Sequence, residues 1–446
     1  MSEPTEQRPQ PLASDFGPTP LGERIQPIDI LRGVALLGIL VINMPFYAMP
    51  GSFSMYPSVF ENTRSLDLAE WWIGQVFFFQ KFIAIFSMLF GAGIILMYQR
   101  AEEFSRKFAS FYYRRVLWLL LFGLIHMFVF WVGDILSIYA LCGLILFLFR
   151  KLSSKTLIIL GVIFHLIGVA VLMGSGFFFE FAQSQADAAE QAASQGESLT
   201  MMQIQMRDAW MNAQEYLQPG LETLQREVEI FQSSDYGKMF MYRLPFAIIM
   251  LTQGFLFMLL WHTGGLMLIG MGLMKSKVLT GERSTRFYTI MLIVGFVVGF
   301  PLVIMGAEHI RNSNFDMILK LQCGGPLNYI GSIFVALGYI GAVMLICKSN
   351  ILKKIKKALA AVGRMALTNY LLDTLVMTTI FYGYGLGLFG KINRFNLIWF
   401  ILGMWIVQLV ISPLWLKYFR FGPMEWLWRT LTYWKRQPMR LPARNT

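Results

Sequence analysis

The sequence predicts an all-α polytopic integral membrane bundle of about ten transmembrane helices, with both termini cytoplasmic. Three observations carry this. Of 446 residues, 56% are hydrophobic and only 14% charged, with mean hydropathy +0.54; a soluble chain carries about 25% charged residues. Apolar runs of membrane-crossing length recur along the whole chain. Basic residues gather in alternate connections between those runs.

Spans are expected at 28–48, 71–98, 116–132, 135–149, 156–179, 244–274, 287–305, 327–347, 365–384 and 396–416. The third and fourth are short and form a tight hairpin around Gly133-Asp134. The second and sixth are long and invite a break, near Lys81 and near Trp261-His262. Residues 1–27 read as a disordered cytoplasmic tail, polar and proline-bearing, without the pattern of a cleaved signal peptide. An N-terminal five-helix half (28–180) is followed by an extracytoplasmic insertion (181–243), a C-terminal membrane half (244–416) and a basic cytoplasmic tail (417–446). In the insertion, apolar residues recur at helical spacing in 199–210 and 221–231, with a break at Pro219-Gly220. Two amphipathic helices over the outer surface follow.

With the N-terminus inside, inner segments hold 27 of the 38 Lys and Arg, outer segments 9, and spans 2. Acidic residues divide the other way, 8 inside and 16 outside. The net charge of +12 therefore faces an anionic inner leaflet, which removes nucleic acid as the partner it would otherwise suggest. Cys142, Cys323 and Cys347 form no spaced set, so neither a disulfide framework nor a thiolate metal site is expected. Zinc spacing, a phosphate loop, a dinucleotide fingerprint and a serine elbow are absent. No internal repeat supports an inverted-repeat transporter.

Ionisable groups inside a bilayer are costly and point to function. Asp29 and Arg32 share a face of the first helix, and Asn43, three turns on, returns to it. His126 lies about 16 Å along its helix from Arg115, a depth that suits a proton-transfer group. His262 reads as an interhelical hydrogen-bond partner, and His165 as an ordinary helix residue. Lys81 and Asp134 lie at similar depth in the outer half; they either pair or Lys81 snorkels to the outer interface. Gly91-Ala92-Gly93 reads as close helix packing. Arg364 and Asn369 open the ninth span, with Asp373 deeper on the same face. The basic helix before it, with Lys353, Lys354, Lys356 and Lys357, suits anionic lipid or a collar for a phosphate-bearing cofactor.

The strings IDILRGVALLGILVINM (28–44), KFIAIFSMLFGAG (81–93), RRVLWLLLFGLIHMFVFWVGDILSIYALCGL (114–144), VGRMALTNYLLDT (362–374) and WLKYFRFGPMEWLWRTLT (415–432) resemble the bacterial YeiB-like family of inner-membrane proteins, domain of unknown function 418. The first helix is also distantly similar to that of transmembrane acyltransferases, at Asp29, Arg32, Gly33 and Asn43. The histidine that follows the asparagine in the glucosaminide enzymes of that group has no counterpart here. The resemblance implies acyl transfer from a cytoplasmic acyl-coenzyme A to a small-molecule or glycan acceptor.

On that reading His126 is the base and Asn43 donates to the carbonyl. Arg32, Arg364 and the lysine cluster hold the donor, oriented by Asp29 and Asn369. Lys81 and Asp134 bound the acceptor site, and no metal is involved. The alternative is a proton-coupled transporter or exporter using His126, Lys81 and Asp134. A non-catalytic membrane scaffold is the third reading.

Overall fold

A computed structural model describes residues 24–51, 64–103, 108–217 and 219–441. The expected disordered tail lies outside the described residues up to position 23. Every extended element among those described is a helix.

Eight helical stretches are long and apolar enough to cross a membrane: Gln26–Ala48, Ser65–Ala101, Ala109–Phe130, Ser154–Ser194, Tyr236–Lys275, Thr285–Asn312, Met317–Lys348 and Arg394–Tyr418. They fall on eight of the ten expected spans. The other two expectations, the fourth and ninth, correspond to shorter apolar helices, Leu136–Leu146 and Ala366–Phe381.

In chain order, α1 is Gln26–Ala48, entered through Pro27 in its first turn, where a missing N–H costs nothing. Helix α2, Ser65–Ile73, runs into a π-helical turn, Gly74–Phe78. The chain breaks at Gln80, whose φ is 66°, and restarts as α3, Lys81–Glu103. The break suspected near Lys81 is therefore present. Helix α4, Phe108–Ile125, ends in a second π-helical turn, His126–Phe130. After the Gly133-Asp134 hairpin comes α5, Leu136–Leu146.

Helix α6, Ser154–Ser194, is a single element of 41 residues, about 62 Å long. The expected end near 179 does not occur. The run from 180 to 194 is mostly Ala, Gln, Glu and Ser, without proline or glycine, so propensity carries the helix on past membrane thickness. The expected amphipathic helices are present as α7, Met201–Leu217, and α8, Leu221–Gln232.

Helix α9, Tyr236–Ile249, widens into a π-helical stretch, Met250–Gly264, and returns to α pitch as α10, Gly265–Lys275. The expected break near His262 is thus a change of pitch. Helices α11, Thr285–Asn312, and α12, Gly325–Lys348, pack as an antiparallel pair. Then follow α13, Lys353–Arg364, α14, Ala366–Phe381, α15, Leu397–Tyr418, and α16, Pro423–Tyr433.

Two close crossings set the frame. A Cβ on Gly363 would lie 1.9 Å from the Asp29 carbonyl oxygen, and one on Gly33 would lie 2.1 Å from that of Leu359. Only glycine lets α13 cross α1 at that distance. Gly91 and Gly270 do the same between α3 and α10, against the backbones of Met267 and Met88. Gly93 faces open space, so of the Gly91-Ala92-Gly93 string Gly91 makes the close contact.

The end of the bundle where α1 begins is here the proximal end, and the opposite one distal. Helices α13 and α16 lie at the proximal end, and α8 at the distal end.

Candidate functional site

The distal half of the bundle interior holds a continuous line of polar side chains. His126 Nδ1 lies 2.8 Å from Asp134 Oδ1, and Nε2 lies 2.9 Å from Thr374 Oγ1. Thr374 in turn bonds the Tyr47 hydroxyl at 2.8 Å. The second Asp134 oxygen accepts from the Ser137 backbone N–H and hydroxyl, at 2.7 and 2.6 Å. His126 is only 2% exposed and Thr374 1%.

These bonds assign the roles. A carboxylate accepts only, so Nδ1 of a neutral His126 carries the proton and donates to Asp134. Nε2 then accepts from Thr374, and Thr374 accepts from Tyr47. The line is a directed chain ending on a base held by a carboxylate.

Local structure places each member. The π-helical turn His126–Phe130 widens α4 where it meets α14; such turns are rare and frequent at functional sites. Its free carbonyls are satisfied from α9: Arg243 donates to Phe130 at 2.7 Å and Tyr236 to Val129 at 2.5 Å. Asp134 sits in the hairpin, three residues before Ser137 in the first turn of α5. Above the line, Trp131 packs on Tyr47 with ring centroids 4.2 Å apart. Over these, Phe231 of α8 stacks on Phe389, and Gly383 donates to the Phe231 carbonyl at 2.8 Å.

Of the two readings of Lys81, neither the pair with Asp134 nor an exposed, snorkelling ammonium is formed. Asp134 is fully engaged by His126 and Ser137. Lys81, 0% exposed, donates to the Gln75 carbonyl at 2.6 Å and to Asn328 Oδ1 at 2.8 Å. The break at Gln80 and the π-helical turn of α2 bring that carbonyl to Lys81 and turn it toward α12.

Asp29 and Arg32, on one face of α1 as expected, form an ion pair at 3.3 Å, and Arg24 joins the same carboxylate at 3.4 Å. Arg364 donates to the Arg420 carbonyl at 3.4 Å and sits beside Gly363 at the crossing with α1. Asn369 does not orient these cations. It is buried and bonds the Val362 carbonyl at 3.2 Å and Ser412 at 3.0 Å, tying α13, α14 and α15 together. Asp373 is committed to Gln408, at 2.6 Å. Asn43 is half-buried on α1, one turn before Tyr47 and on its face.

The lysine collar is not formed as expected. Lys356 is buried and caps the C-terminal end of α12 through the Ile346 and Ser349 carbonyls, while Lys353, Lys354 and Lys357 are exposed.

A second polar cluster joins His165, His262 and Tyr329. Tyr329 stacks on His165 at 4.1 Å, and the two imidazole centroids are 5.4 Å apart. His165 Nε2 meets the Tyr329 carbonyl at 3.1 Å. His262 meets His165 and Tyr329 through ring contacts between helices, and its Nδ1 is buried without the expected hydrogen bond; His165 is its companion, which the sequence reading passed over.

Tyr47, Ser137 and Thr374 were also missed. Thr374 closes the quoted string VGRMALTNYLLDT beside Asp373, and only the geometry separates it from its neighbour.

The DUF418 model, described as a protein of unknown function, matches residues 273–435. The chain is 33% identical over 443 residues to the uncharacterized protein YxaH of Bacillus subtilis, covering 96% of this chain and 98% of the relative. It is 32% identical over 429 residues to the uncharacterized protein YeiB of Escherichia coli, covering 92% and 96%. A 39.9 kDa protein from the amylase 3' region of Bacillus acidopullulyticus is 27% identical over 425 residues. No solved structure matches.

Proposed function

For a chain that belongs to the YeiB-like DUF418 family, we propose a ten-span inner-membrane acyltransferase with both termini in the cytoplasm. The proximal end is then the cytoplasmic one. The donor is a cytoplasmic acyl-coenzyme A and the acceptor a hydroxyl compound. The observation that carries the reading is the buried line Asp134–His126–Thr374.

An acceptor hydroxyl at the Thr374 end loses its proton through Thr374 to His126 Nε2. Asp134 steadies the imidazolium that forms. The alkoxide attacks the thioester carbonyl, the C–S bond breaks, and the proton returns from His126 to the thiolate. Asn43, on the face of Tyr47, is the donor toward the carbonyl oxygen.

Purified protein in nanodiscs, given radiolabelled acyl-coenzyme A and a panel of hydroxyl acceptors, should form acylated product. His126→Ala should cut turnover about 10²–10⁴-fold while leaving donor binding intact by calorimetry. A wild type that neither binds coenzyme A nor transfers acyl groups removes the proposal.

Buried Lys81, with no ion pair among the described residues, favours a second reading as a proton-coupled transporter. Uptake driven by a pH gradient in proteoliposomes, lost in Asp134→Asn and Lys81→Met, supports it; proteoliposomes inert to a broad metabolite panel count against it.

A further inference from the structure

Four elements converge at the proximal end: the start of α1, the first half of α4, the end of α13 and the face of α16. They bring together Arg24, Arg32, Arg364, Arg429 and Arg115. Arg24 and Arg32 share one carboxylate, Asp29. Gly363 packs Arg364 against the same Asp29 turn. Arg429 lies within electrostatic reach of Arg24 and Arg32, and Arg115 of Arg429 and Arg32. Arg115 stacks on Trp428 at 3.6 Å, and Trp428 donates to the Arg115 carbonyl. Five guanidinium groups therefore face two carboxylates.

The second carboxylate is occupied elsewhere. Glu425 accepts from the Leu367 and Thr368 N–H groups, at 2.7 and 3.1 Å, and from the Thr368 hydroxyl. Among the described residues, Arg115, Arg364 and Arg429 form no ion pair, and Nε of Arg24 and of Arg364 is buried without a partner. Burial, then repulsion from Arg24, pushes the Arg429 guanidinium down to about 10. Part-buried cations that outnumber their anions repel one another, a cost that a bound anion relieves. A planar fork of N–H donors matches phosphate oxygens two at a time.

We propose that this arginine cluster binds the phosphate or pyrophosphate group of a ligand. The site is not the lysine stretch. Lys353 stands eleven residues before Arg364, about 16 Å away along α13, and Lys356 is taken up by α12. The proposal reaches beyond acyl transfer. A protein that binds pyrophosphate here but transfers nothing keeps the site and loses that reading.

Two sources carry the chemistry, a soluble pyrophosphate-bearing molecule and a phospholipid headgroup. Delipidated full-length protein in neutral detergent is titrated with inorganic pyrophosphate by calorimetry, and separately with cardiolipin in the same detergent. Arg364→Gln and Arg429→Gln should each weaken binding by about tenfold or more, and the exposed Arg286→Gln should not. Pyrophosphate binding assigns a soluble ligand, and cardiolipin binding alone assigns the headgroup. If a variant does not fold, phenylglyoxal labelling of wild type decides, with Arg364 and Arg429 expected to be shielded by the bound ligand. Binding of neither probe, or binding indifferent to both substitutions and without shielding, overturns the site.

Discussion

His126 is held through both ring nitrogens, and each bond constrains the next. Thr374→Val keeps the shape of the side chain but strands His126 Nε2 and Tyr47. It should cost about 1–3 kcal/mol, read as a lower midpoint of thermal unfolding, while Thr374→Ser should restore most of it. Equal losses in the two variants would mean that packing, not the hydroxyl, matters there. A second residue-scale expectation concerns Glu227 on α8, outside the membrane-spanning stretches. Burial pushes its carboxyl from the ordinary 4.5 up to about 7, partly offset by the Gly51 N–H and the Tyr242 hydroxyl. The folded state thus favours the neutral acid. Its contribution to closure of α8 is full below about 4.5 and is lost as pH rises through about 7. Hydrogen exchange in α8, corrected for intrinsic rate, should therefore accelerate from pH 5 to pH 8 in wild type. Glu227→Gln should abolish that dependence, and an equally steep rise in the variant would remove Glu227 as its cause.

Among elements, α13 and α14 are the pair on which the proximal end depends. Residue 363 must be glycine for α13 to cross α1 beside Asp29, so Gly363→Val should separate the two helices. Loss of the monodisperse peak in detergent chromatography, or a clear fall in melting temperature, is the expected result; an unchanged variant would mean that the crossing adapts. Glu425 gives α14 its N-terminal cap from a different helix. Glu425→Ala leaves the Leu367 and Thr368 N–H groups unsatisfied and should cost about 0.5–2 kcal/mol, read in the same melt. Periodicity announced α7, α8 and α13 because a half-buried helix must keep its apolar residues on one face. It did not announce the π-helical turns at Gly74–Phe78 and His126–Phe130. Their extra residue per turn is selected by contacts from other helices, such as Arg243 on the carbonyls of α4.

For the whole molecule, the skew of Lys and Arg argues for proximal-end-inside. In spheroplasts, a cysteine placed at Arg436→Cys should resist an impermeant maleimide until the membrane is opened, and one at Glu229→Cys should react at once. Labelling of both from the same face would reverse or collapse this topology. The native thiols require their own control, since only Cys142 is buried.

The sequence alone determined that the chain is helical, where eight apolar helices of membrane-crossing length fall, and which polar residues they carry. Those properties follow from length, apolarity and charge along the chain. It also found Asp29 with Arg32, three residues apart on one helix. The partners of Lys81, His126 and Arg364 came only with the tertiary structure. His126 meets Thr374 from 248 positions away, and Lys81 meets Asn328 from 247. Depth in a membrane is readable from a single helix, but azimuth is not. Lys81 and Asp134, expected at one depth, face different neighbours, because a break at Gln80 and the packing of α3 against α12 set the direction of Lys81.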